Sequence, residues 1–142
     1  MHIEPISDLR AAQQLLAAMD LPYADLATLP DLTLVGMHSA GELVAMAGIE
    51  GHAQIGLLRS LAVAPAYRQR GLASQLIAHL EQLARQQGRH TLYLLTTSAE
   101  AFFVRHGYQA IAREAAPPAL RQTNQFSTLC PASARILSKP LT

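Results

Sequence analysis

The residues Leu61-Ala62-Val63-Ala64-Pro65-Ala66-Tyr67-Arg68-Gln69-Arg70-Gly71-Leu72-Ala73 pass from an apolar run through a basic turn into a helical pattern that opens at a glycine. Backbone N–H groups at a helix N-terminus lack intrahelical partners, and the helix dipole favours an anion beside them. Gly71 has no Cβ, so a phosphate can come close to the main chain there. Ala73 keeps the next turn open, and Arg68 and Arg70 add positive charge. The chemistry allowed is a pyrophosphate cradle made mostly of backbone. It has neither the Lys-Ser/Thr of a P-loop nor the G-x-G-x-x-G of a dinucleotide fold. The same residues also fit an ordinary strand-to-helix turn whose arginines are solvated.

Other reactive side chains are dispersed. The histidines at 2, 38, 52, 79, 90 and 106 show no i, i+4 pair, so no metal site is expected. Cys130 is the one cysteine, which excludes an intrachain disulfide and fits a reducing, cytoplasmic setting. Between Leu129 and Pro131 it reads as a buried packing residue, with a reactive thiol as the alternative.

The elements that would position the cradle follow from periodicity. Ser7 is the expected cap of a helix carrying Leu9, Ala12, Leu15, Leu16 and Met19, with Pro22 beyond its end. A shorter helix is expected over 24–29. Residues 32–38 and 43–50 read as strands of a hairpin around Gly41, and 55–63 as a third strand. Leu72, Leu76, Leu80 and Leu83 or Ala84 make one apolar stripe on a long helix over 71–87, closed by Gly88. A strand over 90–96, a short helix over 99–106 ending at Gly107, and a strand-like 108–113 follow. A helical turn is expected over 120–123, and the tail 126–137 is weakly strand-forming. The β-α-β unit 55–96 implies a right-handed crossover between parallel strands, so the sheet is mixed and has helices on both faces.

Composition bounds the rest. The chain has 142 residues, 50% of them apolar and 15% charged, with a net charge of +1. A single domain over 1–142 is expected, and a disordered chain is excluded. The weak charge and the lack of Trp argue against nucleic acid as a partner. No apolar run is long enough for a membrane span, and the N-terminus does not read as a signal peptide.

Two ordered motifs resemble those of the GNAT N-acetyltransferases. Arg68-Gln69-x-Gly71-x-Ala73 after its strand is similar to that family's acetyl-CoA motif, and Phe102-Phe103-Val104-Arg105-His106-Gly107-Tyr108 to its F-Y-E-K-x-G-F segment. The resemblance covers roughly residues 1–113. A narrower likeness, to the branch labelled arsenic-resistance N-acetyltransferase, is carried by Leu57 to Val63, Leu92 to Thr97, Ala116 to Arg121 and Phe126 to Ala134.

The resemblance implies an α/β fold of the α+β type: the GNAT fold, with a mixed six- to seven-stranded sheet and a V-shaped splay between strands 55–63 and 90–96. It also implies acetyl-CoA as cosubstrate and a small-molecule amine that attacks the thioester directly. Leu61, Ala62 and Val63 would bond the pantetheine arm, with the N–H of Leu61 as oxyanion donor. Arg68, Gln69, Arg70, Gly71, Leu72, Ala73 and Ser74 would hold the pyrophosphate. Phe103 stands where the family often has a Tyr that protonates the leaving thiolate. It reads as packing at the thioester end, and Tyr93, Thr96, Thr97 or Ser98 would have to supply a hydroxyl. The alternative is a non-catalytic acyl-CoA-binding module that has lost its acid.

Glu50 is the expected general base, against a solvated strand-end carboxylate; His52 has a suitable pKa range for the same task. Strand alternation puts Leu57, Arg59 and Leu61 on one face. On the acceptor cleft, Arg59 would bind a carboxylate or an oxyanion such as a phosphinate or arsenical group. Otherwise it pairs with an acid on the sheet. Arg121 would join it if 117–123 folds back over the acceptor. The apolar segment 126–138 is expected as an edge strand, and covering that edge would make a homodimer.

Overall fold

The computed structural model describes residues 1–123, 126 and 133–141. Seven strands form one sheet in the order β1-β2-β3-β4-β5-β7-β6. They are β1 (Glu4–Pro5), β2 (Leu32–Ser39), β3 (Glu42–His52), β4 (Ile55–Val63), β5 (Thr91–Thr96), β6 (Gln109–Ile111) and β7 (Arg135–Pro140). Among the described residues the α-helices are α1 (Leu9–Ala18), α2 (Leu72–Gln86), α3 (Glu100–Arg105) and α4 (Pro118–Arg121). All pairings are antiparallel except β4 with β5, the two strands joined through α2. This is the mixed sheet that the β-α-β unit predicts.

Helices cover both faces. On one, Leu76, Ile77, Leu80 and Ala84 of α2 and Phe103 of α3 pack on Val35, Ala45, Ile49, Leu58 and Leu92. On the other, Ala12 and Leu16 of α1 pack on Leu34, Met46 and Ala62, and Leu120 of α4 packs on Leu57 and Ile136. No described helix is long and apolar enough to cross a membrane.

Four local expectations change. Asp8, not Ser7, caps α1: its Oδ1 accepts the amides of Arg10 at 3.0 Å and Ala11 at 3.3 Å. The segment 24–29 is a run of turns rather than a helix. Seven residues between Pro22 and Pro30 cannot repay helix nucleation, and Asp25 is drawn to the sheet instead. The last strand starts at Arg135 and runs between β5 and β6, paired on both sides. It is therefore no edge, and the ground for a homodimer through it is lost; β1 and β6 are the edges. Cys130 lies outside the described residues.

The fourth change is in β4. Gly48 faces Arg59 and Met46 faces Ala62, so Ser60 and Leu61 together oppose the single residue Ala47. This is a β-bulge, and Ser60 at its centre has φ +61°. Beyond it, side-chain parity inverts. Leu58 packs on the α2 face, yet Ala62 packs with α1 while Leu61 and Val63 lie against the α2 core. Arg59 and Leu61 thus point to opposite faces, not to one.

Candidate active site

β4 and β5 stay paired only from Ile55–Thr91 to Leu57–Tyr93. Beyond that they diverge, as the expected V requires, and the gap opens into a cavity of about 770 Å³. Residues 58–63 form one wall and residues 94–99 the other; Phe103 and Arg68 also line it. A bulge leaves its extra residue outside the regular ladder, so the gap runs along backbone around Leu61 that is not committed to regular pairing.

At the mouth, a 3-10 turn over Pro65–Tyr67 carries the chain into α2. Two left-handed residues, separated by Arg70, precede the helix closely: Gln69 at φ +64° and Gly71 at φ +76°. Gly71 is the N-cap, and a Cβ built on it would have nothing within 4 Å. The main chain is therefore open to an incoming group at this point, and no protein atom occupies the place. The guanidinium of Arg70 lies 4.9 Å above the Tyr67 ring. Arg68 bonds Val63 O at 3.4 Å and Met19 Sδ at 3.3 Å, which spans the cavity from the turn to the end of α1. Within the first turn of α2, Ser74 Oγ lies 3.1 Å from His106 Nε2. Gln69, Arg70, Gly71, Leu72, Ala73 and Ser74 follow Arg68 in the chain and do not line the cavity itself.

Phe103 is buried, at 5% exposure, and stacks edge-on to Phe102 and Tyr108 with centroids 5.1 and 5.6 Å away. Of the hydroxyls expected to replace a missing acid, Thr96, Thr97 and Ser98 line the cavity and Tyr93 does not. Thr96 Oγ1 accepts the amides of Ala99 at 2.9 Å and Ser98 at 3.4 Å, which leaves its O–H as a donor.

The acid–base expectations fare differently. Arg59 does line the cavity, but its side chain is fully buried and its fork closes on Asp25, with Nη2–Oδ1 at 2.6 Å and Nη1–Oδ2 at 2.8 Å. Nη1 also donates to Glu50 Oε1 at 2.9 Å. Burial alone would lower the Arg59 pKa, and the hydrogen bonds and charges of Asp25 and then Glu50 more than reverse this, leaving it raised. An acceptor anion would have to compete with two carboxylates already in place.

Glu50 is likewise committed: it is 3% exposed, and its second oxygen lies 2.6 Å from His52 Nε2. It does not line the cavity, so the expectation of a base open to the acceptor is not met. The reason is burial: a carboxylate taken out of water needs hydrogen-bonding partners, and here Arg59 and His52 supply them. Arg121 is exposed on α4 and is not among the residues lining the cavity.

Sequence reasoning missed Asp25, whose surroundings read as a short helix, and Asp20, the one acidic residue among the described residues lining the cavity. For Asp25 the signal was available in the buried strand arginine, which demands an acid from somewhere. Among the described residues, no three His, Cys, Asp or Glu side chains are grouped to share a metal ion.

Comparison with known proteins returns the same architecture. The model of the acetyltransferase (GNAT) family matches residues 3–108. An amino-acid acetyltransferase from Pseudomonas putida is 33% identical over 88 residues, 62% of this chain and 19% of that protein. Another, from Ectopseudomonas mendocina, is 41% identical over 64 residues, 45% of this chain and 15% of that protein. The chain thus spans less than a fifth of these curated relatives. A crystal structure of N-acetylglutamate synthase from Neisseria gonorrhoeae, complexed with coenzyme A and N-acetyl-glutamate, superposes with a TM-score of 0.81. It is 20% identical, over 100% of this chain and 36% of that one, so this likeness concerns the fold.

Proposed function

This chain belongs to the acetyltransferase (GNAT) family, and from that premise we propose that it transfers the acetyl group of acetyl-CoA to the amine of a small, amino-acid-like molecule. The observation that carries the reading is the splayed pair β4 and β5 over a 770 Å³ cavity, with the open Gly71 start of α2 at its mouth. Acetyl-CoA is the family's acetyl donor. Its pyrophosphate lies on the amides of Gln69 to Ser74 between Arg68 and Arg70. Its pantetheine runs beside Leu61, Ala62 and Val63 as a substitute strand. The Leu61 N–H faces the thioester carbonyl, where it stabilises the developing oxyanion. Phe103 packs the thioester end and excludes water. The turn into α2 supports this: two left-handed residues and no obstruction at Gly71 suit close approach by phosphate.

The acceptor class follows the relatives, which are named amino-acid acetyltransferases. Amino acids with a phosphinate or arsinate side chain are the narrower candidates, suggested by the likeness to the arsenic-resistance branch. The test is a screen for CoA release with the common amino acids and with those two analogues, beside calorimetric titration of acetyl-CoA. Turnover on at least one amino acid is expected. Acetyl-CoA binding without turnover on any would leave only a binding module, and no acetyl-CoA binding would end the reading.

A further inference from the structure

We infer that Asp20 is the residue that receives the ammonium group of the acceptor, so that this protein selects acceptors that arrive as cations. The inference rests on the proposed acetyl transfer. Asp20 is the C′ residue of a Schellman motif that closes α1. Its N–H reaches Ala17 O at 3.1 Å, the next amide, of Leu21, reaches Leu16 O at 2.9 Å, and φ of Asp20 is +57°. That position favours glycine, because a Cβ is crowded in the left-handed region. It also lies at the negative end of the helix dipole, where a carboxylate is disfavoured and a lysine or arginine preferred. The left-handed backbone tolerates an aspartate, but the dipole gives no reason for its charge.

The cavity does. Asp20 lines it next to Met19, Leu21 and Pro22, and it is the one acid among the described residues that do so. The two cations of the lining are engaged elsewhere. Arg59 is closed on Asp25 and Glu50, and Arg68 is bound to Val63 O and Met19 Sδ on the side of the anion cradle. Among the described residues Asp20 forms no ion pair with either of them. A primary amine is an ammonium at neutral pH, since alkyl amines titrate near the range of lysine, about 10.4. An acceptor entering the cavity therefore meets, at its exposed α1 edge, a carboxylate with no ion pair among the described residues. Asp20 orients the amine and takes no covalent part.

The variants Asp20→Asn and Asp20→Gly test this, with thermal unfolding, acetyl-CoA calorimetry and steady-state kinetics on the common amino acids and on n-butylamine. Asparagine keeps the shape and tolerates the left-handed backbone; glycine relieves it. The KM of the acceptor that the wild type uses best is expected to rise about tenfold in both, the size of a charge-assisted contact. kcat should change less than KM, and acetyl-CoA affinity should stay within about twofold. The unfolding temperature of the glycine variant should be at least that of the wild type, so a higher KM cannot be blamed on a damaged fold. A restored KM in Asp20→Glu would strengthen the assignment. Unchanged acceptor KM in the asparagine and glycine variants overturns it. A wild type that binds acetyl-CoA and prefers an uncharged acceptor overturns it too, whereas one that binds no acetyl-CoA overturns the acetyltransferase reading beneath it.

Discussion

Arg59 of β4 and Asp25 of the segment after α1 are 34 residues apart and share a two-pronged ion pair, at 2.6 and 2.8 Å, with both side chains buried. This pair ties the segment after α1 to the β4 wall of the cavity. Glu50 completes the charge on Arg59 from the neighbouring strand, and His52 holds Glu50 in turn. Among the described residues, none of the network's buried side-chain nitrogen or oxygen atoms lacks a hydrogen-bond partner.

Asp25→Asn keeps the shape of the pair and removes one charge. Breaking a buried pair by removing one partner costs about 3–5 kcal/mol, and Glu50 remains, so a loss of about 3 kcal/mol is expected. Urea unfolding of the variant measures it as a lower midpoint with an unchanged slope. A loss under about 1 kcal/mol, the range of an exposed pair, would show that Arg59 is adequately held by Glu50 alone.

Gly71→Val is expected to abolish detectable acetyl-CoA binding in calorimetry, and Gly71→Ala to weaken it by at least about tenfold. A Cβ there meets no protein atom within 4 Å, so packing does not oppose the change. The φ of +76° still imposes a cost of about 1–2 kcal/mol on any side chain. Unfolding should therefore shift modestly while binding collapses. Retained affinity in the valine variant would remove the cradle.

Phe103→Tyr adds one oxygen to a ring that lines the cavity. Acetyl-CoA affinity should stay within a few-fold, and kcat with the true acceptor should not fall. A positioned acid is worth about 10²–10⁴-fold, so any rise marks a leaving thiolate that now takes its proton from water. A collapse of kcat with binding retained would mean that the dry apolar ring itself is required.

Tyr108 sets an alkaline limit. Burial, then the charge of Glu81 and the hydrogen bond that Glu81 accepts at 2.9 Å, hold its phenol far above the ordinary value, with Arg85 opposing weakly. Since the folded pKa exceeds the unfolded one, stability is intact below about pH 10, where the unfolded tyrosine ionises, and is lost as pH rises further. Burial raises the Tyr93 phenol in the same direction. Melting temperatures between pH 8 and 11 should fall at the alkaline end. Tyr108→Phe should flatten that fall and cost about 1 kcal/mol at neutral pH. An unaltered alkaline limb would assign it elsewhere.

Local spacing was enough for much of this molecule. The α2 stripe, the strands on either side of it and the Gly71 and Gly107 punctuation are all short-range patterns, and they name the parallel pair and the helix start that opens the cavity. Charge partnership is different. Arg59 was legible as an anomaly in an apolar strand, but Asp25 and Glu50 meet it only when the segment after α1 packs on the sheet and β3 pairs with β4. The bulge at Ser60 was also invisible, because it depends on register with β3, and it reverses which side of the sheet Leu61 faces. The same holds for the last strand, whose insertion between β5 and β6 is a pairing of distant segments. Asp20 joins this list: only the closing turn of α1 against the open end of β4 turns an unremarkable aspartate into the acid of the cavity. Periodicity is a local property of the chain, whereas neutralisation of buried charge and strand register are settled between elements once they pack.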